Sequence, residues 1–224
     1  MKKIIFICIL VLFVFIIYII NIDKKEFVFL VGDSLSLSKN SYGITNYDGY
    51  LNDYLKKRNI NEKYIIYGKE EYRIGELERD IKSNIIVNDR HIQNILIKAD
   101  LVIIEIGIDN LVPILFSNDK DYIYDYLDGI IVNMESLIKI IKSYCKEKIL
   151  LVGYYNPYLN NNNIKYIDYV NEKYKSISNK YQIDYLDLSD LNKEEYFSNP
   201  SNYYLNNKGY KKLNDKIIDL IYKN

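Results

Sequence analysis

Hydrophobic positions along this chain fall into two recurring textures. Short, mainly apolar segments at 27–31, 63–67, 100–106, 148–153 and 182–188 predict the strands of a buried parallel sheet. Between them apolar residues recur three and four apart, as in Leu137, Ile140, Ile141 and Tyr144. That spacing predicts helices with one face laid on a sheet, over 47–58, a broken stretch 74–98, 120–144, 164–181 and 207–222. Strands alternating with helices predict the α/β class, with a parallel sheet and crossover helices. The asparagine-rich stretch 160–163 predicts a mobile loop tip shortly past a strand end.

A third texture precedes all of this. Residues 4–20 are apolar without a break and follow Lys2 and Lys3. As a helix rising about 1.5 Å per residue they span roughly 26 Å, close to the hydrocarbon depth of a thin bilayer. The residues after the run, 18–23, offer no small-residue cleavage pattern, so the segment reads as an uncleaved anchor rather than a signal peptide. The expected organisation is an N-terminal membrane anchor over 1–25 and one domain over 26–224, with the lipid bilayer as partner through residues 4–20. Lys2 and Lys3 favour an extracytoplasmic domain on a single-pass anchor, and Lys24 and Lys25 on the far flank vote the other way.

Composition narrows the function classes. The 224 residues, 49% apolar, suffice for one full core. Thirty basic and thirty acidic residues cancel and no cationic run stands out, so no nucleic-acid partner is expected. The 25 tyrosines and absence of tryptophan read as codon bias and carry no functional signal. Cys8 lies in the apolar run, which leaves Cys145 alone in the domain, without an internal disulfide partner and expected as a small buried hydrophobe.

In a parallel sheet ligands bind at the carboxyl ends of the strands, so the segments following each strand belong together. They read VGDSLS (31–36), YGKEEYRIGEL (67–77), IEIGIDNL (104–111) and LVGYYNPY (151–158), with NPSNYYLNNKGY (199–210) leading into the last helix. The first of these releases Ser34 at the end of the first strand, where a nucleophile can be exposed. Asp33 beside it is a second candidate catalytic residue, with a turn or cap role as the bland alternative.

Taken in order, these five segments resemble the SGNH, or GDSL-type, hydrolases, and most of all a small membrane-anchored or secreted lipase/esterase-like branch in Gram-positive bacteria. The resemblance covers residues 27–222. It implies a three-layer α/β/α sandwich with a five-stranded parallel sheet of flavodoxin-like order 2-1-3-4-5, here preceded by one N-terminal transmembrane helix. It also implies an ester-hydrolysing serine. An oxyanion hole would be built from that serine's N–H, a glycine after the second strand and the Asn of a G-x-N-D block, and a D-x-x-H pair would supply the base.

Carried over by position, Ser34 keeps the nucleophile's place and the other catalytic positions change type. Glu71 falls where the second-block glycine belongs, unless Gly75 fills that position. Gly107-Ile108-Asp109-Asn110 transposes the two polar residues of G-x-N-D, Tyr204 falls at the base histidine, and Ser201 at its aspartate. Gly32, Gly107, Tyr155, Asn156 and Asn206 are the expected pocket residues. Gly107, Asn156 and Asn206 read equally as turn, packing and helix-start residues.

A serine hydroxyl is inert until a base takes its proton, and removing the base from such a unit costs about 10⁶ in turnover in the best-studied case. A phenol, with an ordinary pKa of about 10, offers a proton where an acceptor is needed. Carboxylates at Glu71 and Asp109 would oppose an oxyanion, whose donors are worth about 10²–10³ each. The one histidine, His91, is expected on a helix descending to the far edge of the sheet. Asp33, Glu71 and Asp109 match no cation-loop spacing, and neither metal nor cofactor is expected.

The resulting expectation is an extracytoplasmic SGNH-fold protein without working catalytic blocks, which binds an acyl ester, lipid or cell-wall glycan or scaffolds a partner, with no acceptor near the Ser34 hydroxyl. The competing expectation is an active esterase, lipase or deacetylase on lipid or cell-wall acyl groups.

Overall fold

The structure, a computed structural model, describes residues 27–37, 51, 56, 63–115, 122–156, 164–197 and 204–222. The predicted anchor, the loop tip at 160–163 and Ser201 lie outside these residues. So does most of the first helix, of which Leu51 and Lys56 are described, both helical. Among the described residues no helix is long and apolar enough to cross a membrane.

Five strands form one parallel sheet: β1 (Phe27–Gly32), β2 (Tyr64–Gly68), β5 (Ala99–Glu105), β6 (Lys148–Val152) and β7 (Asp184–Leu186). A separate two-stranded hairpin contributes β3 (Ile86–Val87) and β4 (Arg90–His91). The sheet order is β2-β1-β5-β6-β7, which is the expected 2-1-3-4-5 counted over its own strands. Every sheet pair is parallel, as crossover helices require. The central strands are apolar because both faces are covered: Phe29, Leu30, Val31, Val102, Ile103 and Ile104 are wholly buried.

The helices Ile164–Tyr181 and Asn207–Tyr222 fall where periodicity places them, and Ile123–Tyr144 starts three residues later than expected. Three points differ from the sequence reading. The stretch 74–98 resolves into a helix, Ile74–Lys82, the β3–β4 hairpin, and a short helix, Ile92–Lys98. An additional helix, Ile108–Leu115, follows β5 directly and holds Pro113. His91 ends β4 just before a helix rather than lying on one, because Asn88 and Asp89 adopt positive φ (48° and 61°) and turn the chain into a hairpin. Its Nδ1 lies 2.8 Å from the Asn84 carbonyl oxygen. The neighbouring Arg90 guanidinium sits 5.7 Å from the Phe27 ring centroid, which fixes this hairpin at the amino-terminal edge of the sheet, as expected for His91. Cys145 is buried at the end of its helix, again as expected.

Candidate active site

β1 ends at Gly32, and only glycine fits there: a Cβ would lie 1.6 Å from Ser36 Oγ and 2.5 Å from the Glu105 carbonyl oxygen. That close approach lets the chain leave β1 tightly against the end of β5. Asp33 N–H donates to the Glu105 carbonyl (3.2 Å), and Ser36 Oγ donates to the same carbonyl (3.0 Å) and to the Glu105 carboxyl group (3.2 Å).

The Asp33 side chain pins the turn after β1 to the start of the helix Ile108–Leu115. Its carboxyl accepts the N–H of Leu35 (3.0 Å) through one oxygen and those of Gly107 (2.8 Å) and Ile108 (3.1 Å) through the other. It thereby closes its own turn and caps the helix Ile108–Leu115. Burial pushes this carboxyl well above its ordinary range and the neighbouring Asp109 carboxylate adds to that, against the pull of the Leu35 and Gly107 N–H groups. Behind it a void of about 10 Å³, bounded by Glu105, Gly153 and Tyr155 among others, is the size of a single water. Gly107 has φ +118°, and a Cβ would meet the Tyr154 hydroxyl at 2.1 Å, so the turn that presents Asp109 requires glycine.

Ser34 lies on the next residue and is wholly buried. Its Oγ accepts the backbone N–H of Glu71 at 3.2 Å and lies 3.4 Å from Asp109 Oδ2. Both neighbours correct the sequence reading. Replacing the second-block glycine by Glu71 does not remove the donor, because the donor is a backbone N–H. Glu71 keeps it by adopting φ +55°, a left-handed conformation in which glycine carries no penalty. Gly75 sits within the helix Ile74–Lys82 and is not the second-block residue. Nor is Ser34 without an acceptor: the aspartate at the family's asparagine position turns a carboxylate oxygen toward it, at the long limit of a hydrogen bond. The transposed Asn110 points elsewhere, its Oδ1 accepting the first N–H of the helix Ile74–Lys82, from Ile74 (3.2 Å).

Tyr204 is buried at the base position. Asn206 caps the last helix through the N–H groups of Lys208 (2.9 Å) and Gly209 (3.0 Å), and its Nδ2 donates to the Glu195 carbonyl (3.0 Å). Tyr155 is buried against Phe197, with ring centroids 5.6 Å apart. The backbone N–H of the buried Asn156 donates to Asn192 Oδ1 at 2.5 Å. Among the described residues no group of carboxylate, His and Cys side chains is arranged to hold a metal ion.

The loop that carries Glu71 is held by a cluster whose parts the sequence reading did not connect. Asp80 Oδ2 accepts from Tyr67 (2.6 Å), from Lys69 (2.8 Å) and from the Tyr72 hydroxyl. The Lys69 ammonium lies 4.7 Å and 5.3 Å from the centroids of the Tyr72 and Tyr67 rings, which meet edge to face. Burial alone would raise the Asp80 carboxyl, but the donors, Lys69 foremost, hold it below the ordinary carboxylate range. Tyr72 is 2% exposed, so Asp80→Ala removes its principal acceptor inside the fold. The expected cost is about 1–3 kcal/mol, read as a lowered urea midpoint at unchanged slope.

Comparison with known proteins agrees with this architecture. Residues 30–212 match the model of the GDSL-like Lipase/Acylhydrolase family. No curated protein sequence matches the chain. The fold is similar to that of the lipase Lip_vut3 from a goat rumen metagenome, at TM-score 0.70 and 20% identity over 86% of this chain and 95% of that one. It is also similar to the esterase EstA from Pseudoalteromonas sp., at TM-score 0.62 and 17% identity over 88% and 97%. The acetylxylan esterase Axe2 from Geobacillus stearothermophilus aligns at TM-score 0.65 and 16% identity over 89% and 96%. With the family model spanning β1 to the last helix and the sheet order agreeing, the chain belongs to the GDSL-like lipase/acylhydrolase, or SGNH, family.

Proposed function

We propose that this chain is a membrane-tethered, extracytoplasmic member of the family that has lost ester hydrolysis by a serine–histidine unit. In this reading it keeps the site region for binding an acyl ester, lipid or cell-wall glycan, or for scaffolding a partner at the cell envelope. The observation that carries it is the state of Ser34: a buried hydroxyl tied to the Glu71 N–H, while the single imidazole of the chain sits at the opposite edge of the sheet. A general base must come within hydrogen-bond reach of the proton it takes, and His91 has no such route. The tether rests on the apolar run 4–20 behind Lys2 and Lys3.

One contact favours a second reading. Asp109 Oδ2, 3.4 Å from Ser34 Oγ, could take the serine's proton and leave a neutral carboxyl group that donates to the oxyanion. The lipase and esterases of the same fold support hydrolysis as well. A carboxylate is nevertheless a much weaker base than imidazole, and the contact is long.

The two readings part on turnover. The full chain in detergent is expected to release nitrophenol from nitrophenyl acetate no faster than Ser34→Ala does, and to resist labelling by a fluorophosphonate probe. A rate that falls about a hundredfold in both Ser34→Ala and Asp109→Ala would establish the second reading.

A further inference from the structure

We propose that the amino-terminal edge of the sheet, centred on Phe27 and the β3–β4 hairpin, is a membrane-apposed face that contacts anionic phospholipid headgroups. The inference rests on the tether proposed above. Only residues 21–26 separate the apolar run from Phe27, and six residues reach at most roughly 20 Å. β1 runs away from that point, so the tether turns the Phe27 edge toward the lipid and the Ser34 edge away from it.

The residues on this edge suit the position. Ile86 in the hairpin is 66% exposed and Ile97, at the end of the helix that feeds β5, is 54% exposed. Large aliphatic side chains left open on one edge are the kind that insert between headgroups. Cations flank them. Lys63 passes its carbonyl to Val28 N–H, Arg90 lies over Phe27, Lys98 precedes the β5 residue paired with Phe27, and Lys148 opens β6. Asp89, Asp100, Glu147 and Asp184 share the edge and temper its field, so the contact draws on the isoleucines as much as on charge. The opposite edge carries Glu70, Glu71, Asp109 and Asp125 beside the cations Lys69 and Arg73.

The test uses the full chain reconstituted in vesicles of phosphatidylcholine, with and without phosphatidylglycerol, in a Cys8→Ser background. An environment-sensitive dye is attached at Ile97→Cys or, on the far edge, at Tyr126→Cys; Cys145 is buried and not labelled. Quenching by brominated lipid is expected to be at least about twofold stronger at position 97 than at 126, to rise with phosphatidylglycerol, and to fall in a Lys63→Glu/Arg90→Glu/Lys98→Glu variant. Equal quenching at the two positions in protein that stays with the vesicles refutes the face and leaves the tether standing. Protein washed off both vesicle types by carbonate refutes the tether and this face with it.

Discussion

Replacing Ser34 by alanine is expected to destabilise this protein. Where a serine is held ready for attack, its removal is typically neutral or stabilising, because reactive sites trade stability for function. Here the hydroxyl is buried, takes the N–H of Glu71 from the loop after β2, and faces the Asp109 carboxylate from the first turn of the helix after β5. It therefore joins three strand ends. Ser34→Ala leaves the Glu71 N–H without that acceptor on a residue already at φ +55°, and removes a donor from Asp109. Losing a partner of this kind costs about 1–3 kcal/mol. At this chain length each kcal/mol lowers Tm by about 2–4 °C, so a fall of about 2–12 °C is expected by calorimetry. A double-mutant cycle with Asp109→Ala checks the origin: groups in contact should give a combined loss smaller than the sum of the single losses. A Tm unchanged or raised in Ser34→Ala marks a serine poised for chemistry and contradicts the proposed function.

The sheet was readable in the sequence because its central strands are buried on both faces and their apolar runs stand out between periodic helices. The helix Ile108–Leu115 was not. Its apolar residues continue the β5 run, Pro113 argues against a helix locally, and the group that caps it is the carboxylate of Asp33, 74 residues earlier than Gly107 in the chain. The β3–β4 hairpin was hidden for a related reason: its turn rests on positive φ at Asn88 and Asp89 rather than on glycine. At the site, contacts depend on backbone conformation that residue types alone do not fix. A glycine at the Glu71 position supplies only easy access to a conformation that Glu71 also reaches, and the donor is the backbone N–H of either residue. The contact of Asp109 with the serine depends on the turn at Gly107, which residue order alone does not orient. The Asp80 cluster joins residues 67, 69, 72 and 80, whose spacing fits no single periodicity.

If the silence of Ser34 comes from the groups around it, those groups can be put back. Asp109→Asn keeps an acceptor for the serine and adds an amide donor for the oxyanion, beside the Glu71 N–H that is already in place. Tyr204→His offers an imidazole at the family's base position, and Ser201→Asp the carboxylate that orients it. Units of this kind are strongly non-additive, so each single variant is expected to remain inert. The base is worth about 10⁶ in the best-studied serine hydrolase and one oxyanion donor about 10²–10³, so even a poorly aligned set leaves a large margin. The triple variant is expected to hydrolyse nitrophenyl acetate at least about a hundredfold faster than the same variant carrying Ser34→Ala, and to be labelled by a fluorophosphonate. The rate should rise as pH passes upward through the titration of the introduced imidazole, ordinarily about 6.5, since only the neutral ring accepts the proton. A folded triple variant that neither turns over nor labels would show that access is the barrier, since a wholly buried Ser34 excludes the substrate whatever base stands beside it.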